Sequence, residues 1–137
     1  AFIFGFLDDK LGGKLTIQIT LICLIVAGLM AIFAQSKLYF WIAGIIVGIF
    51  SGPNQAASRS LMGRFTPRSR ENEFYGFFAF SGKMTAFIGP LFLGILTELF
   101  DSQRAGVSIV VVLFVVGLFL LKSVDEKDGI ATTKLFQ

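Results

Sequence analysis

The chain has 137 residues, of which 55% are apolar and only 15% are charged, and its mean hydropathy is +0.79. A soluble domain of this length has too little interior for so much apolar surface, so the composition is typical of a membrane protein. The absence of His and the single Cys, Cys23, exclude an imidazole base, a thiolate zinc cluster and a disulfide framework. The net charge of +3 does not indicate nucleic-acid binding, because the basic residues lie between apolar runs.

Four apolar runs are long enough, or nearly long enough, to cross the roughly 30 Å hydrocarbon core, which takes about 20 helical residues. The first two, residues 15–36 and 38–58, are separated by a short polar link and are predicted to form an antiparallel hairpin. The third, residues 74–97, is interrupted only by Lys83, and the fourth comprises residues 105–121. The predicted fold class is therefore all-α, a polytopic membrane protein with four transmembrane helices.

The two ends of the chain differ from this pattern. Residues 1–7 are apolar but too few to span a membrane, so they are expected to be the stump of a helix that begins upstream. Residues 125–137 are polar and are expected to be a disordered tail. The sequence thus predicts a membrane part over residues 1–124 and a tail over residues 125–137.

The positions of Lys and Arg predict the orientation, because loops rich in these residues stay on the cytoplasmic side. If four spans cross the membrane, the opposite side holds only Lys37 and Arg104. The other side holds Lys10, Lys14, Arg59, Arg64, Arg68, Arg70, Lys122, Lys127 and Lys134. Both termini are therefore expected to be cytoplasmic, in a multi-pass protein whose surroundings are the lipid bilayer.

The second run contains a ridge of glycines. Gly44, Gly48 and Gly52 form two overlapping G-x-x-x-G units, which allow a neighbouring helix to approach closely. Gly89 and Pro90 in the third run are also expected to contribute to helix packing. The alternative is that glycine is simply frequent in membrane helices.

Two amides follow a proline at the end of the second run. Pro53 is expected to kink or thin the helix, and the freed carbonyl groups must then face protein or a water-filled cavity. Asn54 and Gln55 are therefore candidates for a solute pathway. A plain helix terminus at the headgroup level explains them about as well.

Lys83 is the most informative single residue. It lies about 14 Å into the third run, near the membrane midplane, where an ionisable group is a functional candidate by default. Ser81 and Thr85 lie on an adjacent face and are further candidates for a substrate pathway. The alternative is a tilted helix from which Lys83 reaches the cytoplasmic surface.

No cofactor or metal is predicted. The segment from Gly76 to Lys83 resembles a phosphate-binding loop, but five residues separate Gly76 from Gly82 and Met84 replaces the hydroxyl residue. ATP binding is therefore rejected, and without a nucleophile and base or a metal-ligand set the chain is not expected to be an enzyme.

The loop between the second and third runs carries four arginines and two acidic residues. Arg59 and Glu73 are predicted to belong to a cytoplasmic charge network. The acidic residues also suit a helix N-terminus and the arginines suit anionic headgroups, so a plain interfacial helix is an equally good interpretation.

The charged link before the first run carries a resemblance. It resembles the G-x-x-x-D-[RK]-x-G-[RK]-[RK] loop of major facilitator superfamily transporters and departs from it at Gly13. The matching residues, expected to form part of a cytoplasmic gate, are Gly5, Asp9, Lys10, Gly12 and Lys14.

A second resemblance covers nearly all of the chain up to Val124. In order and spacing these residues resemble the vacuole effluxer-like branch of that superfamily, which contains autophagy-related vacuolar amino-acid exporters and many bacterial permeases. The residues that carry it are Gln55, Ala56, Ser58-Arg59-Ser60, Pro67, Glu73-Phe74-Tyr75-Gly76, Ser81-Gly82-Lys83 and Gly89-Pro90.

The resemblance implies the last helices of a twelve-helix carrier that moves a small solute, with an amino acid as one candidate, by alternating access. Its partners would be the remaining helices of the transporter, and its location the bacterial cell membrane or, in a eukaryote, the vacuolar membrane. The alternative is a structural or assembly subunit that only packs against other membrane proteins.

Overall fold

A computed structural model of the chain describes residue 10 and residues 12–135, which form four long helices and one short one. These are α1 (Gly13–Ile32), α2 (Lys37–Phe65), a 3₁₀ turn (Arg68–Arg70), α3 (Glu71–Leu99), α4 (Gln103–Lys122) and α5 (Glu126–Leu135). Each of the helices α1 to α4 is long and apolar enough to cross a membrane, which confirms the predicted fold class. The expected helix stump at residues 1–7 lies outside the described residues.

Helix α2 is longer than the apolar run that predicts it. It continues through Pro53 and past residue 58 to Phe65, so the amides after the proline lie inside a helix and not at its terminus. Its 29 residues correspond to about 43 Å, which exceeds the roughly 30 Å core. The charged end from Arg59 onward therefore projects toward the headgroups as continuous helix.

The helices pack as a row in which α1 and α4 lie inside and α2 and α3 lie outside. Helix α1 contacts α2 on one side and α4 on the other, and α4 also contacts α3. Helices α2 and α3 contact each other only slightly, although they are consecutive in the chain. A gap is therefore left between α2 and α3.

The interior of the row is centred on one face of α1. Ile17 and Leu21 of this face pack against Ala57 and Leu61 of α2, and apolar residues of α4 complete the cluster. Thr20 on the same face is fully buried, and its hydroxyl donates to the Thr16 and Ile17 carbonyl groups of its own helix. A buried hydroxyl satisfied in this way adds no unpaired polar group to the interior.

The outer surface is apolar. Phe33 and Phe77 are each 74% exposed, and Trp41 is 71% exposed. Such a surface is not stable against water, and lipid or further apolar helices must cover it.

Close helix contacts occur at two glycines that the G-x-x-x-G pattern does not include. A Cβ atom at Gly28 of α1 would collide with the Val111 side chain of α4. A Cβ atom at Gly106 of α4 would collide with the Thr97 hydroxyl of α3 and would lie 2.9 Å from the Leu93 carbonyl oxygen. These two glycines set the spacing of α4 against its neighbours.

The segment after the last long helix is helical, whereas the sequence predicts a disordered tail over residues 125–137. Asp125 caps the helix, because its carboxylate accepts the backbone N–H groups of Lys127 and Asp128 at 2.9 and 3.2 Å. The Thr133 hydroxyl donates to the Phe65 carbonyl oxygen at 3.0 Å. The disorder prediction is wrong for residues 126–135, because capping and tertiary contacts compensate for the low hydrophobicity of this segment.

Replacing Gly106 by Ala is expected to destabilise the protein by about 1–3 kcal/mol, because a backbone carbonyl that faces the new methyl group cannot move aside. Thermal unfolding of the purified protein in detergent measures the effect.

Gly117→Ala on the same helix is the matched control, since a Cβ atom at Gly117 meets no atom within 4 Å. Its higher helix propensity is expected to leave stability unchanged or to raise it by up to about 1 kcal/mol. Equal unfolding temperatures for the two variants would contradict the close contact at Gly106.

Candidate functional site

The gap between α2 and α3 contains a groove of about 550 Å³ that is lined by two cations. Its lining combines Arg59 of α2 with two aromatic residues, small residues and a lysine of α3: Tyr75, Phe78, Ala79, Gly82, Lys83 and Ala86. The α3 residues recur at the spacing of one helix face. In this groove one stripe of α3 residues therefore faces one residue of α2, Arg59.

The two cations lie at different depths. Arg59 is six residues from the end of α2, or about 9 Å of helix, whereas Lys83 is twelve residues from the start of α3, or about 18 Å. Lys83 thus lies near the middle of α3, as the sequence predicts. Within the described part of the chain, neither side chain forms an ion pair or a hydrogen bond.

Of the predicted pathway residues, Lys83 lines the groove, whereas Ser81, Thr85, Asn54 and Gln55 lie outside its lining. The Ser81 and Thr85 hydroxyls donate to the Phe78 and Ser81 carbonyl groups at 2.9 Å, and both residues are exposed. Gln55 lies one turn from Arg59 on the same side of α2. Their role in a pathway stays a prediction.

Asn54 is half-buried and is paired within its own helix. The Ser58 hydroxyl lies 2.8 Å from the Asn54 carbonyl oxygen and 3.4 Å from its side-chain oxygen. This local pairing occupies one of the amide's acceptor groups.

The glycine ridge has no helix packed against it among the described residues. A Cβ atom at Gly44, Gly48, Gly52 or Gly89 would meet no atom within 4 Å, and Pro90 is exposed. By helix geometry Gly48 and Gly52 lie on nearly the same stripe of α2 as Arg59, so the groove face of this helix continues as a flat surface. A packing role for these residues stays a prediction that concerns a helix from elsewhere.

Arg59 and Glu73, which the sequence assigns to a cytoplasmic charge network, have different surroundings, and their membership of one network stays a prediction. Glu73 lies 4.0 Å from Arg70, and both side chains are more than 60% exposed. A surface pair of this kind contributes little to stability. Arg59 is left facing the groove, because α2 remains helical past residue 58 and presents it beside α3.

A second polar cluster lies at one end of the row and joins α1, α2 and α5. The Glu126 carboxylate of α5 accepts the Gly13 and Lys14 backbone N–H groups at the start of α1, at 3.0 and 3.1 Å. It also pairs with Arg64 at 3.3 Å. An anion here satisfies amides that no helical carbonyl reaches and complements the helix dipole. We call this cluster the Glu126 clasp.

Lys14 strengthens the clasp from the α1 side. Its ammonium group donates to the Lys122 and Val124 carbonyl oxygens at 3.2 and 2.5 Å, at the end of α4. The clasp therefore ties the beginning of α1 to the ends of α2 and α4 through α5.

Gly12 is required where it stands in the clasp. Its φ of +91° lies in a region that side chains rarely adopt, and a Cβ atom would lie 3.0 Å from the Glu126 carboxylate. Of the predicted gate residues, Gly12 and Lys14 thus meet in one cluster, and Lys10 is exposed nearby in sequence. Gly5 and Asp9 lie outside the described residues.

Sequence reasoning missed Glu126 because it lies in the segment expected to be disordered. The sequence does contain a signal for this helix. Asp125 followed by acidic residues is typical of a helix start, and a basic residue in the last turn is typical of a helix end. The identity of its partners, more than 60 residues away, has no local signature.

The opposite end of the row has a smaller set of polar contacts. Arg104 at the start of α4 donates to the Ala34 carbonyl oxygen at 2.6 Å. Arg104 and Lys37 line an open cavity of about 580 Å³ there. Between residues 12 and 135 no group of three His, Cys, Asp or Glu residues is placed to hold a metal ion.

Comparisons with known proteins agree on one family. The family model described as "Vacuole effluxer Atg22 like" matches residues 1–134. The chain is 30% identical over 127 residues to the MFS-type transporter YxiO of Bacillus subtilis, which covers 93% of the chain and 30% of that protein.

Fungal proteins named autophagy-related protein 22 are also similar. The Kluyveromyces lactis protein is 28% identical over 95 residues, or 69% of the chain and 19% of that protein. An Aspergillus niger relative is 33% identical over 85 residues, or 62% of the chain and 14% of that protein. The chain thus spans less than a third of the length of these relatives, and no solved structure matches it significantly.

Replacing Glu126 by Gln is expected to lower the stability of the protein by about 1–3 kcal/mol, because its charge-assisted hydrogen bonds hold α1, α2 and α5 together. The unfolding midpoint in detergent and the rate of proteolysis after residue 122 both measure the loss.

Asp128→Asn is the matched control, since it removes the same charge from an exposed position of the same helix. It is expected to behave like the wild-type protein. If the clasp does not contribute to stability, the two variants will have the same unfolding midpoint and the same proteolysis rate.

Proposed function

The chain belongs to the vacuole effluxer Atg22-like family, and on this basis we propose that it is part of a secondary transporter of the major facilitator type. The transporter moves a small solute across a membrane by alternating access. The observation that carries this proposal is the groove between two membrane-length helices, with a lysine near mid-membrane depth on its wall.

The groove supplies one wall of the solute pathway. In transporters built from two six-helix halves, the solute binds near the midplane between the halves. Lys83, Ser81 and Thr85 of α3 and Asn54 and Gln55 of α2 are the proposed pathway residues. The apolar faces exposed here, together with the glycine ridge, accept the remaining helices of the same transporter.

The Glu126 clasp belongs to the proposed cytoplasmic gate. It contains Gly12 and Lys14 of the charged glycine loop, and it adds Arg64 and Glu126 to them. Because it joins helix ends that must separate if the cytoplasmic side opens, making and breaking it would accompany the change between two states. Asp9 and Lys10 are proposed to act with it.

An amino acid is the proposed solute, and the protein is proposed to lie in the bacterial cell membrane or, in a eukaryote, the vacuolar membrane. The description of the family as vacuole effluxers supports export from a vacuole for its fungal members. Both termini are proposed to be cytoplasmic, which the concentration of basic residues around the clasp supports.

The competing function is that of an assembly subunit, which would pack against other membrane proteins without moving a solute. The glycine ridge and the apolar surface fit this role equally well. An unpaired lysine halfway along α3 does not, because a packing surface gains nothing from a charge in hydrocarbon.

Purified full-length protein in vesicles is expected to move a labelled amino acid such as leucine down an imposed gradient. Lys83→Ala is expected to lower the flux at least tenfold while leaving the amount of folded protein unchanged. Uptake rates and size-exclusion profiles measure the two quantities.

Lys127→Ala is the control, because Lys127 is an exposed cation outside the four long helices. It is expected to keep the wild-type rate. An assembly subunit would show the reverse pattern, with no flux in any form and a reduced yield of the Lys83 variant.

A further inference from the structure

Two positive charges face one groove in the α2–α3 gap. Arg59 and Lys83 line its α2 and α3 walls, and by helix length they differ by about 9 Å in depth. Both side chains line the same groove, so a group bound in it lies between the two walls that carry them. An arginine and a lysine on facing helices are a common arrangement for holding an oxyanion.

The described residues that line the groove supply no negative charge. Glu73, near the start of α3, pairs with Arg70. Over the part of the chain that the structure covers, Arg59 and Lys83 have no ion-pair partner. A lysine without a partner halfway along a membrane-length helix is costly, and an arginine stands at the entrance beside it, so the groove is electrostatically suited to an anion from outside the chain.

The groove also has room for such a group. Ala79, Gly82 and Ala86 line the α3 wall beside Lys83, and a Cβ atom at Gly82 would meet no atom within 4 Å. The volume of about 550 Å³ is in the range of small-molecule sites. Small side chains next to the lysine leave its head accessible to a ligand of several heavy atoms.

We propose that Arg59 and Lys83 form an anion-binding site in this groove and together hold a carboxylate or phosphate group. The inference rests on the proposed transport function and adds to it the chemical class of the solute, which carries a carboxylate or phosphate group. Arg59 lies nearer the end of its helix and meets the anion at the groove entrance, and Lys83 meets it at greater depth.

The anion has two possible sources, a dissolved solute and the phosphate of a lipid headgroup. They are separated by measuring the unfolding temperature of the full-length protein in nanodiscs of neutral phosphatidylcholine. The probes are succinate, inorganic phosphate and succinamide, which has the carbon frame of succinate without its charges. A second set of nanodiscs contains phosphatidylglycerol as well.

Succinate or phosphate is expected to stabilise the wild-type protein saturably in neutral lipid, and succinamide is not. Arg59→Gln and Lys83→Gln are each expected to weaken the apparent affinity about tenfold or more. Arg59→Lys and Lys83→Arg keep the charge and are expected to retain most of it, which also shows that the positions tolerate substitution. Lys37→Gln, in the cavity at the other end, is expected to match the wild type.

The outcomes separate the possibilities. Saturable stabilisation by the dissolved anions supports a solute, and stabilisation by phosphatidylglycerol alone, lost in the same two Gln variants, supports the anion site with lipid as its source. No response to either, or equal responses in wild type and both Gln variants, overturns the site. Flux without an anion response overturns only this inference, whereas anion binding without flux of any solute overturns only the proposed transport function.

Discussion

Packing on both sides of α1 is the interaction on which the rest of the structure depends. Its buried face carries small and branched residues, and Gly28 lets α4 approach as closely as α2 does on the other side. Lipid tails are as apolar as the side chains, so the hydrophobic effect does not drive membrane helices together. Close packing of this kind holds them together instead. Helix α1 lies between α2 and α4, whose side chains share the cluster around Ile17 and Leu21, and α3 packs against α4.

The groove follows from that order. Helices α2 and α3 are joined by a short segment at Arg68–Arg70, yet they make few contacts with each other, because α2 packs against α1 and α3 packs against α4. The charged end of α2 then faces the middle of α3, which places Arg59 and Lys83 on one surface. That neither has an ion-pair partner among residues 12–135 is a consequence of helix order and not of any local feature of either residue.

The Glu126 clasp has a similar origin at the other polar site. The start of α1 needs acceptors for its free N–H groups, and the end of α2 brings an arginine beside them. A carboxylate on α5 meets both needs, and the positive φ of Gly12 leaves space for it. Polar contacts therefore close the end of the helix row that is proposed to be cytoplasmic, whereas the groove beside it stays open.

The amino-acid sequence is enough to predict the four membrane-length helices, the position of Lys83 within one of them and the family, because runs of apolar residues and short motifs are local properties. It did not determine that α2 continues to Phe65, that residues 126–135 are helical, or that Glu73 pairs with Arg70 and leaves Arg59 to the groove. It also directed attention to Gly44, Gly48 and Gly52, whereas the tight contacts within this chain form at Gly28 and Gly106. These points depend on tertiary contacts, because membrane helices are apolar on most of their faces and the choice of neighbour depends on how two helix surfaces fit, which the sequence of one helix does not specify.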